Sequence, residues 1–304
     1  MAAHRLHRYP FKAMGSFCEL QFYLSSGVES QKLSAVLIQE VERLEAKYSR
    51  YRPRSYLQTI NNSAGTRGGL TVDSETASLL DHAANCYHQS NGLFDITSGV
   101  LRKIWDFKTN TIPSEDEIEQ ILPLVGWDKV QWSNGELLLT VRGMEIDFGG
   151  IVKEYAADCV SELARKSGVK YGLVNLGGDF SIIGSHPDGR SWNIGIQHPR
   201  KESVAIAQVS LSSGALATSG DYERFFIHNN KRYSHILDPL TGWPNSGLSA
   251  VSIVAEHCVL AGSVATIAML KREDEAIAWL KEIDLPHLYM TSKELLSGSL
   301  KQTP

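Results

Sequence analysis

The run Ser234-His235-Ile236-Leu237-Asp238-Pro239-Leu240-Thr241-Gly242 places an imidazole close to a carboxylate and two hydroxyls. An imidazole titrates near neutrality, so His235 could take the proton of an attacking hydroxyl, with Asp238 or a hydroxyl orienting its ring. The same run also reads as a satisfied histidine on a strand that ends in a Pro-Leu-Thr-Gly turn. A second run, Asp147-Phe148-Gly149-Gly150-Ile151-Val152-Lys153, suits an anion. Its glycines let the backbone approach a phosphate, a helix start leaves N–H groups free, and Lys153 adds charge in the first turn. Taken alone, two adjacent glycines at a strand–helix junction are more simply a tight turn. Asp147 is equally a strand end, a helix cap or a contact to the polar edge of a ligand. Asn175-Leu176-Gly177-Gly178-Asp179 and Ala217-Thr218-Ser219-Gly220-Asp221-Tyr222 are further polar runs with glycine. The first lacks the G-x-G-x-x-G register of a dinucleotide Rossmann turn. No G-x-S-x-G elbow and no Walker-type loop occurs, which argues against the familiar serine hydrolases and P-loop nucleotide binders.

These runs lie between elements that the periodicity predicts. The first strand spans 17–24. Leu33, Val36, Leu37, Val41, Leu44 and Tyr48 recur at helical spacing. A second helix follows Asp73-Ser74, buries Leu79, Leu80, Ala83 and Tyr87, and stops near Gly92; a third opens on Ser114 and Glu117 at capping-box spacing. The period then becomes two. Strands over 129–133 and 136–141 flank Asn134-Gly135, the commonest two-residue hairpin signal. A strand over 144–148 carries Asp147 to the Gly149-Gly150 turn, and a helix with Tyr155, Cys159 and Leu163 on one face follows. Further strands are expected over 171–176, 192–196, 204–211, 224–228, 232–236 and 250–255. Helices over 260–270 and 273–283 and a strand over 287–291 complete the chain. Strands and helices fall in runs rather than in strict alternation, which predicts an α+β fold.

The 304 residues are 42% hydrophobic and 21% charged, enough apolar surface for a sizeable core. The net charge of -4 is spread without a basic stripe, which argues against a nucleic-acid partner. Cys18, Cys86, Cys159 and Cys258 form no C-x-x-C pair, as expected of reduced, buried thiols. No stretch approaches the roughly 18 apolar residues of a membrane helix, and the first residues lack an apolar leader, so a cytoplasmic protein without stable membrane association is expected. No repeat or low-complexity linker divides the chain, so residues 1–304 are expected to form a single domain.

The order of these segments resembles the ApbE family. Met14-Gly15-Ser16 resembles its Met-Gly-Thr, and Tyr51-Arg52-Pro53-Arg54-Ser55 followed by Asn61 its "rP-x-S … N" stretch. Gly92-Leu93-Phe94-Asp95-Ile96-Thr97, with Leu101 and Trp105 behind, resembles "GaFD-x-T … L … W". Asp147 through Tyr155 is similar to "D-x-GG-x-a-K-g-y". Asn175–Asp179, Ala217–Tyr222 and Ser234–Gly242 resemble "NLGGD", "aTSGdY" and "sHIiDP-x-TG". The matches are collinear from about residue 14 to 271.

The resemblance implies two interleaved lobes, one T-fold-like, with a flavin cleft between them. It implies a transferase that moves the FMN half of FAD onto a threonine of an acceptor redox protein, with Mg²⁺ as cofactor and release of AMP. A non-catalytic FAD-binding protein and an FAD pyrophosphatase are the alternatives. By position, Met14, Tyr51, Leu93, Phe94, Asp95, Asp147, Lys153 and Ile236 would contact FAD. Gly150, Ala265 and Thr266 would stand at the metal, and His235 would be the base. The metal segment departs from the family's "A-D-a-x-(A/D)-T": Gly262 and Ala265 stand at its two carboxylate positions, and Glu154 stands where a glycine usually follows the lysine. Metal binding is therefore expected to depend on the phosphates of FAD, aided by the Thr266 hydroxyl and backbone carbonyls. Glu154 and Glu256 could substitute for the carboxylate but read more simply as solvated charges, and Gly262→Asp is expected to strengthen metal binding.

Overall fold

A computed structural model of the chain describes residues 5–301. The expected first helix is α1 (Gly27–Tyr48), with Leu37, Val41, Leu44 and Tyr48 buried and Val36, counted on the same stripe, exposed. Then come α2 (Tyr56–Asn62), α3 (Ser74–Gln89) and α4 (Glu115–Ile121). The capping box at α4 forms: Glu117 N–H donates to Ser114 Oγ at 3.3 Å, and Ser114 N–H donates to the Glu117 carboxylate at 2.8 Å. Three more helices follow: α5 (Val152–Lys166), α6 (Cys258–Leu270) and α7 (Glu273–Glu282).

The strands are β1 (Arg5–Ala13), β2 (Ser16–Leu24), β3 (Leu70–Thr71), β4 (Val130–Ser133) and β5 (Glu136–Leu139). They continue with β6 (Gly172–Leu176), β7 (Asp179–Gly184), β8 (Trp192–Gln197), β9 (Ala205–Leu211) and β10 (Ala215–Gly220). The last are β11 (Phe225–His228), β12 (Lys231–Ser234), β13 (Ala250–Ala255), β14 (His287–Met290) and β15 (Leu296–Gly298). Eight of them form one sheet, ordered β1-β2-β6-β7-β10-β13-β14-β15, with every neighbouring pair antiparallel. The mixed α+β class predicted from the sequence holds.

Side-chain alternation divides the sheet between two cores. Val174, Leu176, Ile183, Ala215 and Ala217 face the helices α5 and α6, whereas Leu173, Ile182 and Leu216 point to the other side. There the β8–β9 hairpin covers them with Trp192, Ile194, Ile196 and Val209. A third, smaller cluster gathers Val100, Leu101, Trp105, Ile121, Phe226 and Leu237. On the helical side α5 and α6 pack together, with Asp158 of α5 at Cys258 and Val259 and Glu154 of α5 against Gly262 of α6, whose missing side chain lets the two helices approach closely.

Three expectations are corrected. The segment 144–148 is buried and extended but joins no sheet. Its place in a ladder is filled by the Asn61 amide, which donates to Ile146 C=O at 3.0 Å and accepts from Ile146 N–H at 2.8 Å. Tyr87 of α3 and Cys159 of α5, both expected to be buried, are only partly buried. Finally, β1, β7, β10 and β15, read at most as turns or polar runs, are strands of the main sheet.

Candidate functional site

Five segments wall one cleft: residues from 93–102, 147–154, 218–223, 235–237 and 262–270. Its volume is about 1050 Å³ including the open mouth. The first wall follows α3, where Ser90 Oγ accepts Phe94 N–H at 2.8 Å and aims Leu93 and Phe94 at the cleft. Asp95 caps the 3-10 turn that follows it. One oxygen accepts Thr97 N–H at 2.8 Å and the Thr97 hydroxyl at 2.6 Å, and the other accepts Trp127 N–H at 2.9 Å. Its carboxylate therefore holds the wall together, and burial raises its pKa.

Asp147 closes the second wall. Arg50 donates to Asp147 at 2.8 Å and to Gly99 C=O at 2.9 Å, tying the two walls together. A Cβ at Gly99 would collide with Asp147 Cβ, so only glycine allows this approach. The other Asp147 oxygen accepts Gly149 N–H at 2.9 Å and turns the chain into α5. That helix has no side-chain cap at Ile151; Ile151 and Val152 N–H both donate to Phe148 C=O at 2.9 Å, so what the start of α5 offers an anion is the positive end of the helix dipole and Lys153.

Lys153, in the first turn, stands 2.9 Å from the carboxylate of Asp179 at the start of β7. Asp179 is 1% exposed, and its second oxygen accepts Thr218 N–H of β10 at 3.2 Å. Burial opposes the charge of Lys153, but Asp179, Glu154 and Glu223 outweigh it and raise its pKa. Burial, then Asp179, pushes Glu154 up to about 8. Among the described residues no three His, Cys, Asp or Glu side chains group closely enough to hold a metal unaided. A hard cation completed by substrate phosphates needs only one or two carboxylates. The oxygen donors at hand are Gly150, Glu154 and Thr266, all on the cleft wall, and Glu154 Oε2 has no hydrogen-bond partner. These donors suit Mg²⁺.

His235 lies just beyond β12, inside the insertion between β10 and β13. Its Nδ1 is 3.2 Å from Arg224 C=O; a carbonyl can only accept, so Nδ1 carries the proton and Nε2 is the basic nitrogen. Burial, then the charges of Arg102 and Arg224, hold its pKa down at about 3, so the ring is neutral. The orienting group expected at Asp238 is instead this carbonyl: Asp238 accepts Leu240 N–H at 2.8 Å and shapes the turn.

Leu93, Phe94, Asp95, Asp147, Gly150, Lys153, His235, Ile236 and Thr266 thus line one cleft. Three other candidates do not. Tyr51 is 72% exposed beside Arg50, outside the walls. Met14 sits half-buried in the β1–β2 turn, whose Gly15 adjoins the Arg224 side chain. Ala265 is fully buried in the core, so its methyl group faces the packing rather than the cleft. The structure adds Arg102, Glu154, Thr218 and Gly262 to the wall. Of these, Glu154 had a visible signal: a carboxylate at helical spacing with Ala157, Ser161 and Ala164, on an otherwise small and apolar stripe.

The sequence model of the ApbE family matches residues 14–289. A Chlamydia pneumoniae protein named FAD:protein FMN transferase is 31% identical over 266 residues, covering 83% of this chain and 82% of its own. A Vibrio cholerae protein of the same name is 26% identical and covers 95% and 90%. Among solved structures, the ApbE protein of Thermotoga maritima superposes with a TM-score of 0.88 at 30% identity and 97% coverage of both chains. The match across nearly the whole length, together with the shared fold, shows that the chain belongs to the ApbE family.

Proposed function

We propose that this protein is an FAD:protein FMN transferase, built as one domain whose two lobes flank the cleft. One observation carries the reading. A neutral imidazole with a free Nε2 shares a cleft with an uncapped helix start and Lys153, so a base and a phosphate site face the same space. FAD lies with its pyrophosphate at the start of α5, where the helix dipole and Lys153 attract the oxygens. Leu93, Phe94 and Ile236 offer apolar walls to the ring systems. Nε2 of His235 takes the proton from a threonine hydroxyl of the acceptor redox protein. The oxygen bonds to the FMN-side phosphorus, the bridging P–O bond breaks, and AMP leaves with its oxygen. Mg²⁺, when bound by Glu154, Thr266 and Gly150, supplies neutralisation of charge on the pyrophosphate. The neutral His235 ring can accept a proton, but a pKa held down at about 3 makes it a weak base. The role therefore requires that the negative phosphates of bound FAD offset Arg102 and Arg224 and raise its basicity.

The test is incubation with FAD and Mg²⁺, following AMP with and without an acceptor protein carrying the target threonine. Release only with acceptor is the expected outcome. Equal release without it makes the enzyme a pyrophosphatase, and no release in either case leaves an FAD-binding protein.

A further inference from the structure

Glu154 is 8% exposed, lies on the buried face of α5, and has an oxygen, Oε2, without a hydrogen-bond partner. A buried, unpartnered carboxylate oxygen is costly, so it persists where something else satisfies it. The packing makes room for this side chain at one place. A Cβ added to Gly262 of α6 would lie 2.5 Å from Glu154 Cγ and 3.1 Å from Oε1. The Glu154 side chain therefore fills the volume into which any side chain at 262 would grow.

Charge points to what satisfies it. The nearby ammonium, Lys153, is already 2.9 Å from Asp179, so two buried carboxylates share one cation. Glu154 lines the cleft together with Gly150 and Thr266. A pyrophosphate entering that cleft would meet the Glu154 carboxyl group, which ionised attracts a second anion only through a cation between them.

We propose that Glu154 is the carboxylate that binds the divalent cation in this protein, reaching from α5 the place that an aspartate at 262 would reach from α6. The inference rests on the transferase reading for the identity of the phosphates. It also reverses the expectation for Gly262→Asp: with Glu154 present the new side chain collides with Glu154 Cγ, so the single change disrupts the site. The paired exchange Glu154→Gly with Gly262→Asp removes the collision and returns a carboxylate from the opposite helix.

Mn²⁺ titrated into the protein–FAD complex and followed by electron paramagnetic resonance tests this without activity. FAD affinity in the presence of a chelator is measured alongside for each variant. Glu154→Gln keeps the shape and removes the charge. It is expected to weaken Mn²⁺ by at least about tenfold, the lower end of what residues that merely support a metal ligand contribute. FAD affinity in chelator should be retained, and the paired exchange should recover Mn²⁺ binding that Gly262→Asp alone does not. Unchanged Mn²⁺ affinity in Glu154→Gln overturns the inference and leaves the transferase reading standing. So does a matching loss of FAD affinity in chelator, which would make Glu154 a packing residue. Failure of the wild-type protein to bind FAD at all overturns the transferase reading and the inference with it.

Discussion

At His235 the chemistry turns on one proton. Arg224 C=O fixes the hydrogen on Nδ1, and burial with Arg102 and Arg224 keeps the ring neutral. The ring is thus unprotonated at neutral pH, and on the proposed reading bound phosphates would raise its basicity. Replacing the ring with a methyl group removes the proton acceptor but none of the groups that hold the pyrophosphate. His235→Ala is expected to lower the FMN transfer rate by about 10²–10⁴-fold, the usual contribution of a general base. FAD affinity measured by calorimetry should change little. An unchanged transfer rate would return His235 to a structural role. Lys153 illustrates the opposite arrangement: Asp179 keeps its charge in place despite burial, so it serves as a fixed cation rather than a proton carrier.

Glu154 of α5 and Thr266 of α6 both line the cleft, so the relative position of the two helices decides whether they can serve one cation. Gly262 lets the two helices approach closely, and Asp158 fixes their register. α6 has no cap of its own at His257; Asp158, projecting from α5, accepts Cys258 N–H at 2.8 Å and Val259 N–H at 2.9 Å. A helix start capped by a neighbouring helix couples the two as one unit. Asp158→Ala would leave both N–H groups without this partner. It is expected to cost about 1–3 kcal/mol, measured by urea unfolding, the range for orphaning buried donors. The change should also weaken Mn²⁺ binding by the FAD complex, because α6 would lose its anchor. A variant as stable as wild type would show that water replaces the cap without loss.

The cleft is assembled from segments that lie between residues 93 and 270, contributed by the α3 end, the 147–154 turn, β10, the β12 exit and α6. No piece of the chain holds the ligand alone, so binding and folding are linked across the molecule. A ligand that binds only the folded form adds RT ln(1 + [L]/Kd), about 2.7 kcal/mol at a hundredfold excess over Kd. FAD is therefore expected to raise the melting temperature more than equimolar FMN or AMP. On the proposed reading the dinucleotide would engage both the apolar walls and the start of α5. Calorimetry and thermal unfolding with the three ligands decide it, and equal affinity for FAD and FMN would reject a pocket built for the dinucleotide.

What the sequence by itself determined is what nearest neighbours along the chain decide. The α1 stripe, apart from the exposed Val36, the Ser114–Glu117 capping box and the Asn134-Gly135 hairpin formed as read, the last with both turn residues at positive φ. Each is an interaction within about four residues, so its signal is local. The order of the polar runs also carried the family. Other features needed the tertiary structure. β7 and β10 are strands because β6 and β13 pair with them; Asp179 and the Thr218-Ser219-Gly220 run carry turn and site residues that mask the period. The segment 144–148 is extended because Asn61, distant in sequence, supplies its hydrogen bonds. Read along the chain, Glu154 is a carboxylate on a small, apolar stripe and Gly262 a missing carboxylate, two separate departures from the family pattern. Only the close approach of α5 and α6 joins the two, because a side chain's environment depends on which helix packs against it and its neighbours in sequence do not encode that.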